Sequence, residues 1–238
     1  MISSTRVRRI TLRGDEGITL VELLVAIVLL AIASAMILNL FLSTTKAVGT
    51  SSSLTQNTRT AANIMDEISR VIRVGNLNLA PGNVTDPAVV VAKPESLTII
   101  AYIDSRNLRD PEPVKVEFTV NAARQIVETR WPATRNAEKY WVFSATASST
   151  RTLPGTIAIP SGANTLFTYY TPDSTADGLA EGKKIAFTNK TAGLDRSERL
   201  KIRSVHVNLV VLGAGDSAST AITVQNMVGI PNLNAVKP

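Results

Sequence analysis

The feature that most constrains this chain is an apolar segment near its start, which runs from Ile18 to Leu42. It contains no proline, glycine, lysine or arginine, and its only polar residues are Thr19, Glu22, Ser34 and Asn39. About 20 apolar residues cross the hydrocarbon core of a bilayer as a helix, so the segment is long enough to span a membrane. A carboxylate near the edge of such a segment is costly without a partner, which marks Glu22 as a candidate functional residue.

The residues before the segment are basic and include Arg6, Arg8, Arg9 and Arg13. By the positive-inside rule they predict a cytoplasmic N-terminus in a single-pass inner or cell membrane, with the rest of the chain outside. A secretory signal peptide cut at Ala31-Ile32-Ala33 or Ala33-Ser34-Ala35 is one alternative. It is disfavoured because the apolar run continues past Ala35. An uncleaved signal anchor is a second alternative, but it leaves Glu22 unexplained.

The sequence Gly17-Ile18-Thr19-Leu20-Val21-Glu22 and the apolar run after it resemble the class III prepilin signal of type IV pilins and type II secretion pseudopilins. Ile18 stands where that family usually has Phe. The resemblance implies that a prepilin peptidase cuts between Gly17 and Ile18 and N-methylates Ile18. It also implies that Glu22 acts in assembly, with the other pilins or pseudopilins of the same filament as partners.

The chemistry of this motif is an ion pair at the membrane border. Cleavage would give Ile18 a cationic α-amine, and Glu22 lies about 6 Å further along a helix. In a filament, Glu22 of one subunit can meet the Ile18 amine of its neighbour, which removes much of the cost of a carboxylate in lipid. The simpler alternative is that Glu22 only reaches back to the lipid headgroups.

Helical periodicity returns after the apolar segment, and it predicts an amphipathic helix that ends at Gly75-Asn76. Its inner positions are Leu54, Thr58, Ala61, Met65, Ile68 and Ile72. Asp66 and Arg70 are spaced as an ion pair on the outer face. Glycine and serines between residues 43 and 53 suggest a soft joint. We therefore predict a leader (1–17), a membrane and assembly half of the helix (18–42), an amphipathic half (43–75) and a β-rich extracytoplasmic domain (76–238).

The remainder of the chain alternates β-prone runs with turn residues. Predicted strands cover residues 89–91, 97–102, 114–120, 125–131, 166–170, 184–188, 202–211 and 221–227, with a hairpin turn at 121–124. One long helix followed by strands with short links predicts the α+β class, with the helix packed on a mostly antiparallel sheet. This order resembles pilins, and more weakly the larger minor pilins and J-type pseudopilins.

Two polar clusters and one histidine are further candidate sites. Asp173, Thr175, Asp177 and Glu181 are spaced like the start of a calcium loop, but Lys184 occupies the place of its final glutamate, so an ordinary polar turn is favoured. Trp131, Tyr140 and Trp141 lie near Arg130, Arg135 and Lys139, a mixture that can bind single-stranded DNA, although a structural role is favoured. His206 is interpreted as a solvated strand residue, since the chain has no second histidine and no cysteine.

No catalytic or nucleotide-binding motif is present, so neither enzymatic activity nor a cofactor is predicted. The sequence predicts a minor pilin or pseudopilin subunit, displayed at the cell surface or in the periplasm. The alternatives are a subunit of a DNA-uptake or adhesion pilus that binds DNA or a surface ligand, and a signal-anchored or secreted binding or enzymatic domain.

Overall fold

The computed structural model describes residues 18–80, 82, 84–104, 111–158, 165–172, 182–187, 189, 191–213 and 217–233. The chain divides into two compact units, Met1–Gly49 and Thr50–Pro238. The elements are α1 (Leu20–Arg73), β1 (Asn78–Ala80), β2 (Val84–Asp86), β3 (Val89–Lys93), β4 (Ser96–Asp104), β5 (Glu112–Val120), β6 (Ile126–Arg135), β7 (Trp141–Phe143), β8 (Ser149–Thr152), β9 (Phe167–Tyr170), α2 (Arg196–Leu200), β10 (Ser204–Gly213), β11 (Ser217–Gly229) and the 3-10 turn Pro231–Leu233.

The described part of the first unit, residues 18–49, is almost entirely helix, and all of its side chains are exposed. An apolar helix of this length and composition is able to cross a membrane. The segment 43–53, where the sequence suggests a joint, is helical throughout. The hydroxyls of Thr44 and Thr45 donate to backbone carbonyls one turn earlier, so these polar side chains are satisfied within the helix.

In the second unit, α1 buries one face, as the periodicity predicts. The buried residues are Asn57, Ala61, Ile64, Met65, Ile68, Ser69, Val71 and Ile72. Thr58, predicted to face inward, is exposed, and its hydroxyl donates to the Leu54 carbonyl. Compared with the predicted face, the buried face of the helix includes Ile64 and Val71 and excludes Thr58.

Every strand pairing among the described residues is antiparallel, which confirms the predicted α+β class. The largest sheet has the order β3-β4-β5-β6-β7, and β8 also pairs with β6. A second sheet has the order β11-β10-β9, and β1 pairs with β2. Buried side chains of α1 and of the two larger sheets form one hydrophobic core.

Most predicted strands are confirmed, as β3 to β6 and β9 to β11, and the turn at 121–124 joins β5 to β6. The strand predicted at 184–188 is wrong: its described part, residues 184–187, forms one bridge, from Lys184 to Tyr170. Ile185 and Phe187 pack against the core without continuing the ladder. Their alternate positions in the sequence therefore resemble the pattern of a strand. The prediction missed β1, β2, β7, β8 and α2, which have three to five residues each.

The helix ends close to Gly75, where the sequence predicts its end. The Gly75 amide donates to the Ile72 carbonyl at 3.0 Å. A Cβ at this position would lie 2.7 Å from Ile99 Cδ1 and 3.1 Å from Ile230 Cγ2. A side chain here would crowd Ile99 of β4, Ile230 just after β11 and the Ile72 carbonyl oxygen at 3.0 Å, so glycine fits where the backbone leaves the helix.

A buried tyrosine links the two larger sheets. The Tyr169 hydroxyl, on β9, donates to the backbone carbonyls of Lys93 and Ser96 at 3.1 and 3.2 Å. These carbonyls flank the turn between β3 and β4. Burial raises the pKa of this hydroxyl well above its ordinary value, so it remains a hydrogen-bond donor across the neutral pH range.

A cluster of charged side chains joins α1 to the large sheet. Glu67 Oε1 on α1 lies 2.9 Å from Arg130 Nη2, 2.7 Å from Arg151 Nη2 and 2.7 Å from Arg70 Nη2. Glu128 pairs with Arg130, and its Oε2 lies 2.7 Å from Arg151 Nε. The Glu128 side chain is 0% exposed, so water does not solvate its carboxylate. The two arginines supply the counter-charge instead. We call these five residues the helix–sheet charge cluster.

This cluster corrects the predicted pair between Asp66 and Arg70. Arg70 bonds instead to Glu67, three residues away, and Asp66 is exposed. Glu67, which the periodicity places on the outer face, is 18% exposed. The sheet presents two arginines at this point, and these draw the Glu67 side chain inward.

We expect Glu128→Ala to lower the free energy of unfolding by about 3 kcal/mol, because it leaves partly buried guanidinium groups with Glu67 as their remaining carboxylate. Glu95→Ala is the matched control. Glu95 also pairs with an arginine, Arg124, but its side chain is 43% exposed, so its loss is expected to cost under about 1 kcal/mol. Urea titration of the full chain in detergent, followed by tryptophan fluorescence, measures both. Equal losses would contradict the burial argument.

Candidate functional site

Glu22 lies in the first turn of α1 and is bound to the residue that begins the helix. Its Oε2 accepts hydrogen bonds from the Thr19 amide at 3.0 Å and from the Thr19 hydroxyl at 2.9 Å. The Thr19 hydroxyl oxygen in turn accepts from the Glu22 amide at 3.2 Å. This reciprocal arrangement is a capping box, in which two backbone donors at the helix start are satisfied by side chains. We call these two residues the Thr19–Glu22 box.

The box fixes where the carboxylate points and how much of it is occupied. Both Thr19 donors converge on Oε2, and no hydrogen bond to Oε1 is found among the described residues. The preceding residue, Ile18, is 77% exposed. A carboxylate held at a helix N-terminus with one oxygen available is able to accept a hydrogen bond from a cationic donor outside the chain.

Thr19 is a functional candidate that our reading of the sequence missed. The signal was present, because Thr-x-x-Glu immediately before an apolar run is the sequence pattern of a capping box. Without this pattern, Glu22 is expected to be a bare carboxylate. Of the two residues at the predicted cleavage bond, Ile18 is described and Gly17 lies outside the described residues.

A second candidate site combines bases and aromatic rings on the large sheet. The Lys115 ammonium lies 4.7 Å from the Trp131 ring centre and 5.9 Å from that of Phe143. The Arg135 guanidinium carbon lies 4.3 Å from the Trp141 ring centre. These cation–π contacts join β5, β6 and β7. We call these five residues the basic–aromatic patch.

The strand register shows which face of the sheet carries the patch. Lys115 is directly opposite Trp131, and Arg135 is opposite Trp141, so each pair shares a face. Arg130 follows the other side of the strand alternation and belongs to the helix–sheet charge cluster. The patch therefore lies on the sheet face away from α1.

The structure separates the aromatic and basic residues that the sequence had grouped. Trp131, Trp141 and Arg135 are brought together, whereas Arg130 is not. Lys139, in the turn before β7, is joined through its carbonyl, which accepts a hydrogen bond from Arg135 at 3.0 Å. Tyr140 follows it, and the Tyr140 amide donates to the Asn136 side chain. Lys115, from a different strand, is the member that sequence proximity could not reveal.

The remaining candidates do not form a site within the described residues. The calcium candidates Asp173, Thr175, Asp177 and Glu181 lie outside them. Elsewhere in the described chain, no group of three or more histidine, aspartate or glutamate side chains is placed to hold a metal ion. His206 on β10 is half-buried between the buried Val205 and Val207, on the opposite face of the strand.

Comparison with known protein families finds a match near the start of the chain. Residues 12–38 match the family described as the prokaryotic N-terminal methylation motif. The matched stretch contains the Thr19–Glu22 box and most of the apolar run. No curated protein and no solved structure gives a significant match.

We expect Thr19→Val to weaken the start of α1, because it removes the hydroxyl that caps the helix, at a cost of about 1 kcal/mol. Thr19→Ser keeps a hydroxyl and is the matched control. Amide hydrogen exchange of Leu20 to Leu23 in detergent micelles should become several-fold faster in Thr19→Val and change little in Thr19→Ser. Equal exchange in both variants would show that the box does not hold the helix end.

Proposed function

We propose that this chain, which carries the class III prepilin signal of type IV pilin-like proteins, is the precursor of a minor pilin or pseudopilin that is cleaved after Gly17. The mature subunit would be assembled into a type IV pilus or a type II secretion filament. The observation that carries the proposal is the position of Glu22, held by Thr19 at the start of an apolar helix and four residues beyond the Gly17–Ile18 bond.

The chain's own residues suggest how the subunit would bind its neighbour. Cleavage between Gly17 and Ile18 creates a cationic α-amine, and N-methylation of Ile18 would leave it cationic. Glu22 Oε2 is bound by Thr19, so Oε1 is the oxygen placed to accept from the amine of the next subunit. In a medium of low dielectric constant such a pair is far more favourable than a separated amine and carboxylate.

The rest of the chain supports a displayed structural subunit. The apolar helix indicates a membrane anchor, and the residues after it form an α+β domain. The arginines before Ile18 favour a cytoplasmic N-terminus, which would place residues 76–238 outside the membrane. The partners would be the prepilin peptidase and the other subunits of the filament. In this role the subunit acts by assembly, without catalysis or a cofactor.

We expect Glu22→Ala to be processed normally but to enter filaments poorly, because it loses the acceptor for the neighbouring amine and keeps the cleavage bond. Mass spectrometry of the membrane fraction should show a mature chain that begins at methylated Ile18. Immunoblotting of sheared filaments should show a loss of at least about tenfold relative to wild type, the factor that corresponds to 1.4 kcal/mol.

The matched control is Glu22→Asp, which keeps the charge and should retain part of the assembly. Wild-type assembly by Glu22→Ala would refute the role of the carboxylate. A wild-type N-terminus at Ser34 or Met36 would instead support a secretory signal peptide, and an intact Met1 would support a signal anchor.

A second candidate function, binding of single-stranded DNA, is favoured by the basic–aromatic patch. Rings can stack on bases while cations bind phosphates, and Lys115 and Arg135 carry the positive charge here. Glu117 follows Lys115 on the same strand face, but its carboxylate accepts a hydrogen bond from Thr98, which lies on the neighbouring strand. A DNA-uptake filament would use such a site.

We expect Trp141→Ala to weaken binding of a labelled oligothymidine by roughly 5- to 100-fold, as loss of one stacked base would. Arg59→Ala is the control, since it removes an exposed positive charge on α1 away from the patch. Fluorescence anisotropy with the full chain in detergent, at two salt concentrations, measures the affinities. Absence of binding by wild type, or equal weakening in both variants, would reject this function.

A further inference from the structure

The long strand β11 forms one edge of the β11-β10-β9 sheet. Its thirteen residues, Ser217–Gly229, include no charged residue and no proline. Proteins usually protect a long edge strand with charges, prolines or a covering segment, because its unpaired backbone groups can pair with another chain. This edge has neither of the first two protections.

The register identifies the backbone groups that point outward from this edge. The Ile230 amide donates to the Arg203 carbonyl, and the register continues through Val205 paired with Val228. In an antiparallel ladder, every second residue of a strand bonds to its partner strand. The alternate residues of β11 therefore direct their backbone N–H and C=O groups away from β10. These residues are Thr223, Gln225, Met227 and Gly229.

The other side of β10 gives the same alternation. There the Asn208 amide donates to the Leu166 carbonyl, and the Leu212 amide donates to the Thr156 carbonyl. The even-numbered residues of β10 therefore direct their backbone groups away from β11. The odd-numbered residues direct theirs toward β11 and bond to it. A Cβ added at Gly229 would meet no atom within 4 Å, so the sheet face above this end of the strand is open.

The edges formed by β9 and β3 are partly covered by other segments of the chain. At the β9 edge, the Thr171 amide donates to the Lys183 carbonyl, and the Ile185 amide donates to the Tyr169 carbonyl. At the β3 edge, the Ala92 carbonyl accepts from the Leu194 amide. Strands β7 and β8, which also lie at edges, have only three and four residues.

Protection of β11 stops partway along the strand. The Asn57 side chain on α1 donates to the Thr220 carbonyl at 2.8 Å, beside the irregularity between Val211 and Gly213. No further backbone–backbone hydrogen bond outside the ladder to β10 is found among the described residues for the outward groups from Thr223 to Met227. The uncovered part is the regular part of the strand.

We infer that this edge is a homotypic contact, at which β11 of a second copy of this chain adds as an antiparallel strand. Two features suit this edge to a copy of the same strand. A two-fold axis presents the donors and acceptors of β11 to an identical set, so the pairing is self-complementary. A strand without charges can face itself with no like-charge repulsion, which a charged edge could not do.

The proposal predicts that the full chain in detergent forms a dimer that depends on the outward amide of Gln225. Gln225→Pro removes that amide but no hydrogen bond to β10, and proline is tolerated at such edge positions. Gln225→Ala keeps the amide and is the matched control, since both variants lose the side-chain bond from Gln225 to Asn208. Analytical ultracentrifugation should show at least tenfold weaker dimerisation for the proline variant only.

The absence of cysteine permits a second measurement that does not depend on proline being tolerated. Gln225→Cys should form intermolecular links with a short bismaleimide, whereas Thr150→Cys, on β8 of the other sheet, should not. Gln225→Lys should weaken the dimer at low salt and recover at high salt. A monomeric wild type, or equal crosslinking at both positions, would overturn the inference without bearing on cleavage after Gly17 or on Glu22.

Discussion

The pairing of one buried and one partly buried carboxylate at the contact between a helix and a sheet is the constraint on which the second unit depends. Glu67 and Glu128 share Arg130 of β6 and Arg151 of β8, and Glu67 also pairs with Arg70 of α1. A hydrophobic face alone allows a helix to slide or rotate at modest cost, because apolar contacts have little direction. Charges that lose water must meet their partners at hydrogen-bond distance, so the cluster specifies one register of α1 on the sheet.

The same principle operates at the other end of the helix with a different solution. Glu22 has no arginine in the described chain, and the residue that binds it is a threonine three positions earlier. A neutral hydroxyl and an amide orient the carboxylate without cancelling its charge. The carboxylate therefore keeps its charge in a region where lipid would surround it, and a cation from a neighbouring subunit would be stabilised there.

Much of the fold could be predicted because its strongest signals are periodic. The 3–4 spacing of Ala61, Met65 and Ile68 marked the buried helix face. In β10, the apolar positions Val205 and Val207 alternate with polar ones, and both are buried. The partnership of Glu67 with Arg130 and Arg151 could not be predicted, since it joins residues that lie far apart in the chain. The basic–aromatic patch has the same limit, because strand pairing brings Lys115 to Trp131. The Thr19–Glu22 box is a different case, because it is local and its Thr-x-x-Glu pattern is present in the sequence.

The location of that box within the chain has a consequence for maturation. Thr19 and Glu22 both lie on the C-terminal side of the proposed cut, and the hydrogen bonds between them use no atom of Gly17 or Ile18. Removal of the leader would therefore change the charge of the polypeptide and leave the geometry of its first turn unchanged. A precursor could rest in the membrane with its helix already formed, and proteolysis would act as an electrostatic trigger.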